Sequence, residues 1–235
     1  GGKAGSPRME HSGLAPSRWQ VNGPVPRKGG RTEKLPALME AEQLVDDGKL
    51  NPAGKVCAEE GDWEDGWFTD YASGACYSRA ELANRAGHFS DNTAGHMLVR
   101  DLGGNAALNA YAVAMGAEDS DFTAGTNETS PGDLARLLAS EARGNAGGAS
   151  AQGWLYPYLS NTRWEAGIPA GVPAGTTVVH KTGAIDAVVN DAAIVSGGKS
   201  GTYVLAVMSD GPGGDAGWSV VAQLSAAVWA YEAAR

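Results

Sequence analysis

The chain has 235 residues, with 18 Lys and Arg against 27 Asp and Glu and a formal charge of −9. That length buries an ordinary core as one domain, with or without an inserted lobe, and that charge lacks the concentrated basic surface that nucleic acid demands. No apolar run approaches the ~18 residues of a membrane span, and two cysteines with four scattered histidines offer no metal-ligand spacing.

Residues 1–30 are rich in Gly, Pro and basic side chains, with weak strand signals near Met9 and at Trp19–Val21. The start is Gly-Gly-Lys rather than Met, so a processed or trimmed N-terminus is expected and the lack of a visible signal peptide says little. Leu35, Leu38, Met39, Glu42 and Val45 then follow a 3.6 period, and Gly48 is expected to end that helix. Cys57 and Cys76 flank an acidic, aromatic loop around Trp63 and Trp67. Either a disulfide closes this loop, which suits an exported protein, or two thiols stay unpaired.

Ser90 opens a turn, after which Ala94, Met97, Leu98 and Leu102 repeat on one helical face. Asn105 to Met115 and Gly132 to Ala142 read as two further helices, the second with Ser130 as cap, Pro131 in its first turn and Asp133 near its positive end. Strands are expected at Thr176–Lys181, Asn190–Val195 and Thr202–Met208, joined by Gly-containing turns. Asp215 is expected to cap a last helix that turns Val220, Val221, Leu224, Val228 and Tyr231 toward the sheet.

Three short motifs stand in one order: Arg31-Thr32-Glu33-Lys34, Ser90-Asp91-Asn92, and Lys181-Thr182-Gly183 after His180. With a serine in place of Arg31 they would form the Ser-x-x-Lys, Ser-Asp-Asn and Lys-Thr-Gly set of class A β-lactamases and penicillin-binding proteins. The likeness extends along nearly the whole chain. Residues 19–31 read like the strand approaching the active serine, and residues 34–41 like the buried helix carrying the active lysine. Tyr77-Ser78-Arg79 reads like the helix leading into Ser-Asp-Asn, Ser130-Pro131-Gly132-Asp133 like the helix after the omega loop, and Asn190-Asp191 like the strand after Lys-Thr-Gly. The chain thus resembles the penicillin-recognising serine hydrolases. The resemblance implies an α/β (α+β) fold, an antiparallel sheet flanked by helices with an inserted all-helical lobe. It implies a single domain over 1–235, with the sheet lobe at about 1–34 and 175–235 and the helical lobe at about 35–174.

It also implies roles. Lys34, Ser90 and Lys181 would be the catalytic set, with Ser90 between two ammonium groups as proton shuttle to a leaving nitrogen. Asn92 would hold a substrate amide carbonyl and position Lys34. Thr182, with Gly183 behind it and Lys181 beside it, would hold a substrate carboxylate. The implied partner is a carboxylate-bearing small molecule or peptide, with no metal or other cofactor, and the implied location is periplasmic or secreted.

Two departures qualify this. Arg31 stands where the nucleophile belongs, and a guanidinium is neither nucleophile nor base. Facing inward it would join Lys34 and Lys181 in a cationic cluster, lower the lysine pKa values and favour an anion; facing outward it would pair with Glu33 or Glu40. The other Ser-x-x-Lys, Ser196 to Lys199, reads as a hairpin turn. The omega-loop Glu-x-x-Leu-Asn is also missing, and neither Glu118 nor Glu128 has its context. Three readings stay open. One is a pseudoenzyme with a residual anion-binding cleft; another is an enzyme of altered acyl-transfer chemistry that uses Ser90 with Lys34 or Lys181. The last is a hydrolase whose native serine has been replaced.

Overall fold

The computed structural model describes residues 22–123, 126–199 and 201–234, so the strand signals at Met9 and Trp19–Val21 lie outside the described residues. The elements run β1 (Arg27–Lys28), α1 (Lys34–Asp46), β2 (Lys55–Cys57), β3 (Cys76–Ser78), α2 (Arg79–Gly87), α3 (Asn92–Asp101) and α4 (Asn105–Ala114). After these come β4 (Glu128–Thr129), α5 (Pro131–Ala142), α6 (Ala149–Leu155), β5 (Thr177–Ile185), β6 (Val188–Gly198), β7 (Gly201–Asp210) and α7 (Gly214–Ala233). Mixed α/β architecture results, with β5, β6 and β7 forming one antiparallel sheet in that order.

The sheet works as a two-sided partition because side chains alternate along each strand. Val179, Ala192 and Ile194 face the larger core, which gathers Leu35, Leu38 and Met39 of α1 with Leu82, Met97, Leu134 and Leu138. Val178, Ala193 and Val195 face the other way, onto Ile168 and Val221, the latter from α7. The same alternation puts Lys181 on the large-core face of β5 and His180 on the α7 face. One residue of register therefore decides which of two adjacent ionisable groups sees the cleft.

Helix α1 runs through the middle of the large core. Its first two turns are buried on nearly all sides, not along one stripe, as an apolar helix in a protein interior should be. Pro36 costs little because first-turn amides have no intrahelical partner. The helix ends where expected: Gly48, with φ +70°, donates its amide to the Val45 carbonyl at 3.0 Å. On α5 the Ser130 hydroxyl accepts from the Asp133 amide at 3.0 Å, with Pro131 in the first turn. At α7 the expectation needs correcting. Gly213 occupies the cap position and Asp215 sits in the first turn without a side-chain capping bond, so it acts only through its charge on the helix dipole.

The N-terminal strand also differs from a simple sheet edge. β1 pairs with β4, Arg27 opposite Thr129, in a separate two-stranded ladder. A second ladder joins β2 to β3 with Cys57 opposite Cys76, and these cysteines are bonded as a disulfide. That bond closes the acidic loop at its base. No helix among the described residues is long and apolar enough to cross a membrane.

Candidate active site

Three chain segments meet at the cleft: the turn before α1, the turn before α3, and the middle of β5. Asp91 builds the second of these. Its carboxylate caps α3 by accepting from the Ala94 amide at 3.0 Å, and it also accepts from the Tyr71 hydroxyl at 2.8 Å and the Trp67 amide at 3.1 Å. The disulfide-closed loop is thereby tied to the helix start. Ser90, just before the cap, is held in a left-handed backbone conformation with φ +59°. That geometry costs a non-glycine residue about 1 kcal/mol, and such conformations gather at functional sites.

Ser90 and Lys181 are both almost fully buried, and the Lys181 Nζ donates to Ser90 Oγ at 2.7 Å and to the Thr182 carbonyl at 2.8 Å. Lys34 lies on the other side of the helix start, where its Nζ donates to Asn92 Oδ1 at 2.9 Å and pairs with Glu33 at 3.0 Å. Gly95 makes room for it, since a Cβ there would come within 2.8 Å of Lys34 Cε. Burial and the neighbouring Lys34 ammonium, with Arg31 adding to them, push the Lys181 amine down to about 7; Glu33 and Asp191 act in the opposite sense.

Arg31 does not make the outward pair expected of it. Glu33 is engaged by Lys34, and among the described residues no hydrogen bond or ion pair joins the Arg31 guanidinium to Glu33 or Glu40. Its charge is instead felt at Lys181. The turn that carries Arg31 is fixed by Asn190, whose amide donates to the Lys28 and Gly29 carbonyls at 3.0 and 3.1 Å. Gly183 packs directly on it: a Cβ there would meet the Gly29 carbonyl at 2.6 Å and the Arg31 amide at 2.9 Å. Thr182 lies beside Lys181 on β5, largely buried.

Two contributors, Asn127 and Glu64, were not singled out from sequence, and Glu33 was singled out only as a partner for Arg31. Glu33 supplies a carboxylate beside Lys34, although the motif reading leaves no candidate for one. Asn127, with φ +40°, donates to the Gly30 carbonyl at 2.7 Å and to Glu33 at 3.3 Å. Glu64, from the disulfide-closed loop, accepts from the Asn92 side-chain amide in a very short hydrogen bond and lies 3.4 Å from His96. The only sequence sign of Glu33 is a charge set against the first residue of a buried helix. The Asn92 side chain is thus fully engaged, between Lys34 and Glu64.

His180, on the opposite face of β5, is wholly buried between Asp191 at 2.9 Å and Glu165 at 3.1 Å. Burial alone would depress its pKa, but the two carboxylates outweigh that and raise it to about 9. We expect the His180 ring protons to titrate by NMR near pH 9; a midpoint at or below about 6.5 would contradict the ion-paired imidazolium. Because the folded value is raised, this group's contribution, on the order of 3 kcal/mol, is complete below about pH 6.5 and is lost as pH rises through 9.

Residues 17–232 match the model of the β-lactamase enzyme family. The chain belongs to that family. A β-lactamase of Mycobacterium tuberculosis is 34% identical over 152 residues, which cover 57% of this chain and 50% of that protein. A β-lactamase of Amycolatopsis lactamdurans is 36% identical over 116 residues, covering 44% and 38%. The chain spans about half the length, or less, of these curated β-lactamase relatives. Among solved structures, PBP-A superposes with a TM-score of 0.82 at 27% identity, covering 89% of this chain and 82% of that one. A β-lactamase from Sphaerobacter thermophilus gives 0.83 at 22% identity over 92% and 88%, a likeness of fold. The architecture is therefore the serine-β-lactamase/penicillin-binding-protein fold.

Proposed function

We propose that the cleft binds a carboxylate-bearing amide, a β-lactam or an acyl-amino-acid peptide, without standard β-lactamase turnover. The observation that carries this reading is the state of the three cations. Lys34 is neutralised by Glu33, Lys181 is buried on Ser90, and Arg31 stands beside them with no ion pair among the described residues. An unpaired guanidinium at a cleft selects a planar carboxylate, with the Thr182 hydroxyl as a second anchor. The missing step follows from residue 31, because arginine offers no atom to acylate. A mutant of the structural relative PBP-A was solved as an acyl-enzyme with penicillin G, which supports β-lactams as the ligand class for this fold. The Cys57–Cys76 bond fits an oxidising compartment outside the cytoplasm.

The test is equilibrium binding of an N-acyl-amino acid, compared with its methyl ester, to the wild type and to Arg31→Gln. Charge-assisted anchoring predicts that either change weakens binding roughly 10- to 100-fold. Equal affinity of acid and ester for the wild type would overturn the assignment.

A further inference from the structure

We propose that Ser90 is an acylable nucleophile with Lys181 as its base, so that the protein forms an acyl-enzyme away from residue 31. This rests on the cleft binding an amide of the class named above. The geometry is that of a serine–lysine dyad: Ser90 Oγ lies 2.7 Å from Lys181 Nζ, and both residues are almost entirely withdrawn from solvent. The Lys34 ammonium donates to Asn92 and Glu33, and among the described residues it makes no hydrogen bond to Ser90. The left-handed backbone of Ser90 is over-determined by its neighbours. The Asp91 amide donates to the Arg85 carbonyl at 2.9 Å, and the Asp91 carboxylate caps α3. The hydroxyl is therefore pre-positioned.

The electrostatics give Arg31 a task in this scheme. A lysine can take a proton only from its neutral form, and Lys181 is driven toward that form by burial, by Lys34 and by Arg31, against the pull of Glu33 and Asp191. The residue that removes the usual nucleophile also raises the unprotonated fraction of the neighbouring lysine near neutral pH. In the step itself, Ser90 Oγ attacks the amide carbonyl carbon while its proton passes to the unprotonated Nζ of Lys181. The tetrahedral adduct then collapses with cleavage of the C–N bond, and Lys181 returns the proton to the leaving nitrogen. The products are an ester on Ser90 and a free amine, which for a lactam remain one molecule. No co-reactant is consumed.

Intact mass after incubation with benzylpenicillin, followed by peptide mapping, tests this on the wild-type protein. A gain of one penicillin on the peptide bearing Ser90, absent in Ser90→Ala and Lys181→Met, is the expected result. The rate at saturating penicillin should rise with pH through about 7 as Lys181 loses its proton, and Arg31→Gln should move that midpoint upward. Mapping of the wild type stands even if a variant fails to fold. Protein that still binds the N-acyl-amino acid but gains no mass overturns the dyad while leaving the binding reading intact. An adduct on any other residue, or an unshifted midpoint in Arg31→Gln, also overturns it. Loss of N-acyl-amino acid binding would instead remove the reading on which the proposal rests.

Discussion

Arg31→Ser will be acylated by benzylpenicillin on residue 31, at least about 10³-fold faster than the wild type is acylated anywhere, since removal of an activated serine costs enzymes that much or more. The groups packed around residue 31 suit such a reaction. Asn190 clamps the turn and Gly183 packs against the Arg31 amide. Lys34, three residues on, presents its amine between Asn92 and Glu33. Glu33 adds a carboxylate held by Lys34 and Asn127, able to receive a proton from a hydroxyl or a water. The adduct in Arg31→Ser should therefore turn over, and Arg31→Ser/Glu33→Gln should accumulate it. Stopped-flow acylation with mass spectrometry of the quenched enzyme measures both. A folded Arg31→Ser that stays unmodified would mean that the site has diverged beyond one residue. Persistence of the Arg31→Ser adduct would remove Glu33 from the scheme.

The parts of this site that could be read from sequence are those carried by local rules. Lys34 falls at the start of an apolar helix, Ser90 precedes a capping Asp91, and Lys181 alternates with His180 on a β-rich run, so the facing of each follows from helix or strand period. The motif order then brings the three together. What sequence concealed are contacts between segments that share no period. Glu33 reads as a partner for Arg31 because both are near in sequence, yet the fold gives it to Lys34 and to Asn127. Glu64 reads as one acid among several in a loop. The disulfide, the Asp91 bonds to Tyr71 and Trp67, the Thr93 bonds to the Glu64 backbone and the Arg100 bonds to Asp62 together bring that loop onto Asn92. Glu42 was visible on the buried stripe of α1, but nothing local announced that it would meet Glu141 of α5.

That meeting leads to the largest effect on stability. Glu42 and Glu141 are 0% and 1% exposed, and their carboxyl groups meet each other with no hydrogen-bond partner outside the pair among the described residues. Burial first, and each other's proximity next, pushes Glu42 up to about 11 and raises Glu141 as well. At neutral pH Glu42 therefore keeps a proton that the unfolded chain gives up. A raised folded pKa contributes stability that is whole below the unfolded value near 4.5 and is lost as pH climbs through about 11. The Tyr111 hydroxyl nearby, buried and unpartnered, is pushed upward too and supplies no relief. Removing both acids should help, because keeping a desolvated acid pair buried at neutral pH costs more than apolar side chains of like volume. We expect Glu42→Leu/Glu141→Leu to gain about 1–4 kcal/mol at pH 7, with a rise in Tm of about 2–4 °C per kcal/mol. The gain should grow from pH 5 to pH 9, since the wild type alone weakens over that range. Urea unfolding at both pH values measures it, and a double variant no more stable than wild type at pH 9 would refute the buried-pair account. Because α1 carries Lys34 at its first residue, any loosening of this pair at alkaline pH acts on the helix that holds the Lys34 amine against Asn92 and Glu33.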